Sequence, residues 1–217
     1  MDKKTSINIH LTLNYIESND NLIHFSTLCG AIKDSRKMTG RNIETGEKDN
    51  SNTFGHLGSW LGTMGYITIL DQIGKCYRPK KKKPLDKKKS AIIKALKYFT
   101  DLNDFQINAI YALRNAFFHD FSLFNKDNPK YLHHFAVDNH STNPVVILPK
   151  KAWDGKLDNI NDNNETYVNL QALGDLVENI YKKLLDSSIH DDLEIELEGQ
   201  ENELALRYTV VTGQKII

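Results

Sequence analysis

Neither sign of charge is in excess, since 28 lysines and arginines stand against 28 aspartates and glutamates. No protein-wide field therefore draws the chain onto nucleic acid or an acidic surface, and electrostatic steering must be local. Cysteine is scarce. Cys29 and Cys76 are the only two, which excludes a disulfide framework and a CxxC-type thiolate metal site while leaving one bridge between them open. Long apolar runs are missing as well. The most apolar stretch, residues 57–73, is broken by glycines and by Asp71, and is too short and polar to span a bilayer. The opening segment, MDKKTSINIHLTLNYIESND, lacks the apolar run of a secretory leader. A cytoplasmic protein without a membrane segment is expected.

What is present is ordinary globular material. With 40% hydrophobic and 26% charged residues over 217 positions, the chain is long enough to bury a core without cross-links. Charge is unevenly placed: residues 78–89 read RPKKKKPLDKKK, while residues 186–203 are rich in Asp and Glu.

The periodicity predicts one mainly α domain over 1–217, with a helical core over 1–125. A β/loop insertion over 130–165, a helix over 168–187 and a β-hairpin over 192–212 complete it. Residues 6–36 suit one or two helices, and 37–53 a long polar loop. Residues 55–76 read as a helix in which Gly58, Gly62 and Gly65 admit a close neighbour; a strand over 66–70 is the alternative, because Ile67, Thr68 and Ile69 are β-branched. Ser90 is positioned to cap a helix over 90–101 with Ile92, Ile93, Leu96 and Phe99 inward. Residues 132–137 and 145–148 read as short strands of an antiparallel accessory. In the tail, Leu193, Ile195 and Leu197, then Leu204, Leu206, Tyr208 and Val210, alternate around Gly199, which predicts the terminal hairpin.

The helix over about 104–122 carries the chemistry. On an ideal wheel of about 100° per residue, Leu113, Phe117, Ile110, Phe121, Ile107 and Phe118 form one arc. Asn108, Asn115, His119 and Ser122 lie opposite. Arg114 falls inside the apolar arc, where a guanidinium must be paired, must snorkel, or must face something other than core. Asn115 and His119 are an i,i+4 pair and share a surface. Arg114 and His119 point roughly 140° apart, so one helix closes them on a phosphate only if the arginine curls around. Two copies of the helix crossing at a dimer interface build a shared site more easily.

Arg114, Asn115 and His119, in ALRNAFFHDF, resemble the RNxxxH signature of HEPN domains. The resemblance covers about six residues. It implies a helical bundle that dimerises through its signature helices and cleaves RNA without metal or cofactor. It also implies service as a bacterial toxin or antiviral defence effector, beside an antitoxin or sensor protein. Some toxin members carry a modifiable tyrosine two residues after the histidine; here that position is Phe121. In such a site histidine, with an ordinary pKa near 6.5, moves the protons. Arg114 would stabilise the phosphorane charge and Asn115 would orient phosphate or imidazole.

Plainer readings stand beside this one. Arg114 can sit in a salt bridge while His119 merely ends a helix, and a HEPN-like bundle can bind RNA or protein without cutting. Lys80, Lys81, Lys82, Lys83, Lys87, Lys88 and Lys89 could contact RNA phosphates, but no aromatic residue interleaves them for base stacking, which favours a solvated loop. His133, His134, Asp138 and His140 invite a metal reading, and an ordinary surface strand is preferred. Trp60 and Trp153 read as packing residues.

Overall fold

The computed structural model describes residues 2–14, 16–17, 23–49, 56–126, 132–138 and 143–212. Seven α-helices dominate them, with three small sheets at their margins. The first half holds α1 (Lys3–Leu11), β1 (Ile16–Glu17), β2 (Ile23–Ser26), α2 (Thr27–Met38), α3 (Trp60–Cys76), β3 (Tyr77–Pro79), α4 (Ala91–Phe99) and α5 (Asp104–Asp120). The second holds β4 (Phe124–Asn125), β5 (His133–Asp138), β6 (Val146–Ile147), β7 (Thr166–Asn169), α6 (Leu170–Ile189), β8 (Leu193–Ile195), α7 (Gln200–Tyr208) and β9 (Thr209–Thr212). No helix among the described residues is long and apolar enough to cross a membrane.

The central element is α3, buried on almost every side through Tyr66, Ile67, Ile69, Leu70, Ile73 and Cys76. A helix apolar all round belongs inside a bundle, and α2, α4, α5 and α6 all touch it. The strand alternative over 66–70 is not realised. A Cβ on Gly62 or Gly65 would strike Thr39 or Ser35, so these glycines do admit α2 closely, while Gly58 lies just before the helix. Residues Ile92, Ile93, Leu96 and Phe99 of α4 point inward as expected. So do Leu170, Leu173, Val177, Ile180, Tyr181 and Leu184 of α6.

One ionic network binds the loop after α2 to α6. Arg36 is 2% exposed and meets Glu178 in a two-pronged pair, Nε to Oε1 at 2.9 Å and Nη2 to Oε2 at 2.7 Å. Its Nη1 donates to the carbonyls of Ile43 and Glu44, and Tyr66 Oη donates to Glu178 Oε1 at 2.8 Å. Burial, reinforced by the Glu178 charge, pushes the Tyr66 phenol well above its ordinary value, so it stays a donor. Arg41 repeats the theme on the rim, reaching Asp175 at 2.8 Å and the Gly46 carbonyl at 3.2 Å. The polar segment at 37–53 is thus, in its described part, a structured loop closed by an Arg41–Lys48 bridge.

Two expectations about the β elements fail. No terminal hairpin forms: β8 pairs antiparallel with β3, β9 pairs antiparallel with β2, and residues 200–208 are helix. The alternation of Leu204, Leu206 and Tyr208 was misleading, since Leu204 is buried and Leu206 is 86% exposed. Helix formers dominate QENELALRY, and Glu203 pairs with Arg207 one turn on. The accessory over 130–165 is also not purely antiparallel. Its sheet runs β4-β5-β7-β6, with β5 parallel to β7. Strand β7 begins just past the Asn/Asp-rich loop and is buried through Thr166, Val168 and Asn169, a run too short to show alternation.

Both cysteines are buried free thiols, so the open bridge does not form. His10 is wholly buried, with Nδ1 2.6 Å from Tyr77 Oη and Nε2 2.9 Å from the Gln72 amide nitrogen. That amide can only donate, so Nε2 accepts and the proton sits on Nδ1.

Two predictions follow from these buried groups. Glu178→Ala should cost about 3–5 kcal/mol, because Arg36 is left charged and unpaired in the interior; Tyr66→Phe should cost about 1 kcal/mol. Urea unfolding checks both, and a Glu178→Ala loss no larger than that of Tyr66→Phe would contradict the account. Burial also lowers the His10 pKa to about 3, and burial together with His134 lowers that of His133 to about 4. The unfolded chain binds these protons near 6.5, so stability should fall as pH drops below about 6.5 and continue falling through the folded values. His10→Gln should flatten that dependence between about pH 6.5 and pH 5, read from unfolding midpoints.

Candidate functional site

Helix α5 has firm ends. Asn103 accepts from the Phe105 and Gln106 backbones, and the Gln106 side chain accepts from the Asn103 backbone, closing a capping box. At the far end Phe121 takes a left-handed conformation (φ 50°), and the Ser122 N–H bonds Ala116 O at 3.1 Å. Trp60 and Phe117 hold the Phe121 ring. A non-glycine residue in this region carries strain of about 1–2 kcal/mol, and it lies two positions after His119.

The buried arc of α5 is rotated from the one the apolar residues suggest. Ile107, Ile110, Leu113 and Phe117 are buried, but so are Ala109, Ala112 and Ala116, while Phe118 is 40% and Phe121 51% exposed. Alanine lets α3 and α4 approach, so the small residues face the core and the two phenylalanines are displaced outward. Arg114 consequently lies on the margin of the exposed face. Tyr111, Asn115, Phe118 and His119 share that face.

Arg114 Nε donates to Asp71 Oδ2 on α3 at 3.1 Å. Its Nη1 donates to Asn115 Oδ1 at 3.3 Å, and its guanidinium lies 5.3 Å from the Phe118 ring centre. The arginine therefore curls toward the Asn115 side of the helix, and its Nη2 has no acceptor among the described residues. His119, one turn beyond Asn115, is exposed and makes no hydrogen bond or ion pair among those residues.

Asp71 serves twice, because its Oδ1 accepts from Ile92 N at 3.2 Å. Ser90 occupies the cap position of α4 without making a side-chain cap bond, so Asp71 from α3 supplies what Ser90 was expected to. Sequence reading missed this partner. The signal was there: one acid inside an apolar helix and one arginine inside an apolar arc.

The lysines divide. Lys80 pairs with Asp191 at 2.7 Å, Lys87 with Glu198 at 3.2 Å, and Lys81 lies 3.9 Å from Asp192. Lys82, Lys83, Lys88 and Lys89 have no ion pair among the described residues. Lys88 and Lys89 line a depression with Asp86, Ser90, Ile93 and Tyr111, next to the candidate site.

His133 Nδ1 is 2.8 Å from Thr166 Oγ1, and His134 Nε2 is 2.7 Å from Asn164 Oδ1, so both bind the accessory loops together. The Asp138 side chain and His140 lie outside the described residues. Among those described, no three His, Cys, Asp or Glu side chains gather to hold a metal ion. Trp60 stacks on Phe117, and Trp153 is buried with Nε1 donating to Lys156 O.

No family model, curated protein sequence or solved structure matches this chain.

The double role of Asp71 separates two variants. Asp71→Ala should destabilise by about 1–2 kcal/mol, through loss of the α4 cap and the partner of Arg114. Asp71→Asn keeps an acceptor for Ile92 N and should lose less than half as much. Equal losses in urea unfolding would show that capping contributes nothing.

Proposed function

We propose that this protein is a HEPN-type endoribonuclease acting through Arg114, Asn115 and His119. One observation carries the reading. Arg114 is anchored by Asp71 through Nε and turned toward Asn115 through Nη1, which leaves donors of a planar, permanently cationic group for a phosphate. His119 stands exposed one turn beyond, on the same helix. The groups about Arg114 are a single carboxylate already engaged twice, an amide and a ring. Arg114 would supply charge stabilisation and His119 proton transfer.

In the reaction a base removes the proton from a ribose 2′-hydroxyl, O2′ attacks phosphorus, and the P–O5′ bond breaks as O5′ gains a proton. The products are a 2′,3′-cyclic phosphate and a 5′-hydroxyl. Two proton transfers suit two histidines. A homodimer that faces α5 against its copy would supply them and would bring Arg114 of one protomer near His119 of its partner. Leu61, Phe118 and Phe121, exposed by 61%, 40% and 51%, supply apolar surface around the motif for such a contact. The resemblance adds a role as toxin or defence effector, held in check by an antitoxin or coupled to a sensor protein.

A second reading rests on the Arg114–Asp71 pair itself. If the pair is purely structural, the chain is a HEPN-like module that binds RNA or protein without cutting.

Labelled single-stranded RNA, incubated with the protein in EDTA, separates the two. Cleavage should proceed, give cyclic-phosphate and 5′-hydroxyl ends, spare DNA for want of a 2′-hydroxyl, and vanish in His119→Ala. Arg114→Ala should be as inactive, though it also releases Asp71. Metal-dependent cutting with 5′-phosphate ends, or full activity in His119→Ala, would sink the proposal. Light scattering on the same samples should give twice the chain mass; a strict monomer that still cuts would confine the chemistry to one α5 helix.

A further inference from the structure

Seven lysines in a row of twelve residues look equivalent in sequence, but the fold makes them unequal. Pairing of β3 with β8 brings the acidic segment of residues 186–203 against the run, where Lys80 and Lys81 at its start and Lys87 nearer its end find carboxylates. The last two lysines lie elsewhere. Lys88 and Lys89 border an open depression of about 280 Å³ whose other walls include Ser90, Ile93 and Tyr111. Tyr111 comes from α5, one turn before Arg114, and residues three apart on a helix are surface neighbours. Asp71 also ties Arg114 to Ile92 at the start of α4, two residues past Ser90 of the depression wall.

We infer that this depression is a nucleotide subsite, which takes the residue of single-stranded RNA adjoining the phosphate bound at Arg114. The inference rests on the ribonuclease reading for the position of that phosphate. Its chemistry is that of single-strand binding: an aromatic ring for a base face, and flanking cations for the backbone. Tyr111 supplies the aromatic component that the lysine run lacks in sequence. Lys88 and Lys89 supply charge not already neutralised by the protein. Asp86 shapes the rim, its Oδ1 accepting from the Lys88 backbone at 2.9 Å. A volume at the small end of ligand pockets suits one planar group. From this subsite the strand would run along α5 past Arg114 and the Phe118 ring to His119.

The test measures binding apart from cutting. The protein carrying His119→Ala is titrated into fluorescently labelled single-stranded RNA over a series of salt concentrations. Tyr111→Leu, which keeps apolar packing but removes the ring face, should weaken binding about tenfold, the scale of one stacked base. Tyr111→Phe should bind like the parent. Lys88→Ala with Lys89→Ala should reduce the salt slope by about 1.4, as for two phosphates on a single strand. Lys80→Ala with Lys81→Ala should leave it nearly unchanged. Duplex RNA, whose bases are already stacked on one another, should show no Tyr111 dependence. Parent-like affinity in Tyr111→Leu, or an equal slope change in the two lysine pairs, overturns the subsite. Cleavage by the protein with His119 intact is scored separately. An active enzyme indifferent to Tyr111 and Lys88/Lys89 loses the subsite and keeps the ribonuclease reading, whereas an inactive protein with the expected binding pattern does the reverse. Absence of RNA binding by the parent overturns both.

Discussion

Arg36 and Glu178 meet between α2 and α6 with almost no access to water, and each is the other's counter-charge there. Desolvating two such ions costs several kcal/mol apiece, so the pair is tolerable only with its remaining hydrogen bonds made. Those come from Ile43 and Glu44 in the loop after α2 and from Tyr66 on α3. Four parts of the chain must therefore be placed together, including two helices 142 residues apart in sequence. The consequence reaches the candidate site through α3. Tyr66 and Asp71 are five residues apart on that helix, roughly 140° around its axis. With Tyr66 committed to Glu178, Asp71 is turned toward α4 and α5, where it caps one and holds Arg114 of the other. The shaft that completes the buried ion pair also orients the arginine.

Charge is organised the same way, by topology rather than by local sequence. A basic segment and an acidic segment over 90 residues apart suggest separate binding tails when read in isolation. The short β3–β8 ladder places them side by side, and Arg78 meets Glu196 at 2.7 Å within it. A largely buried pair of this kind contributes more than the exposed, water-screened lysine contacts around it. Their main effect is on the surface field: Lys80, Lys81 and Lys87 are matched by acids, while Lys82, Lys83, Lys88 and Lys89 have no ion pair among the described residues, the last two beside Tyr111 of α5.

Helices were legible in the sequence because their apolar residues recur over many turns and the record is redundant. α4, α5 and α6 each carry four or more inward residues at helical spacing, and the Gly62/Gly65 stripe announced a close neighbour correctly. Strands were legible only in part: the runs at 132–137, 145–148 and 193–197 fall on β5, β6 and β8, but their partners were not readable, and the four residues of β7 are too few for a period to emerge. In the tail, alternation over 204–210 competed with helix propensity and i,i+4 pairing, and those local terms won. At the site, the face bearing Asn115 and His119 was readable, and the anomaly of Arg114 was visible. The rotation of α5 was not, since a wheel weighted by hydrophobicity gives alanine little say, whereas packing gives it much. Nor could one sequence tell that Tyr111 would stand beside Lys88 and Lys89.

The Arg114–Asp71 contact is what the plainest reading of the motif requires, yet its energetics leave room for the catalytic one. Both side chains keep water access, 31% for the arginine and 25% for the aspartate, and exposed pairs are worth about 0–1 kcal/mol. So weak a tether does not lock a guanidinium away from a phosphodiester anion that offers a charge-assisted contact. It does bias the side chain. An unpaired arginine explores many rotamers, and ordering it on binding costs about 1–2 kcal/mol of entropy. Asp71 and the Phe118 ring supply part of that order beforehand, while the single Nε contact to Asp71 leaves Nη2 for the incoming group. Asp71 is in turn kept in place by a second duty, the α4 cap, which it performs whether or not RNA is present. An acid beside a phosphate-binding arginine is repulsive to the ligand. Here that repulsion is reduced because the carboxylate is shared between a guanidinium and a helix N-terminus, both of which draw its charge inward.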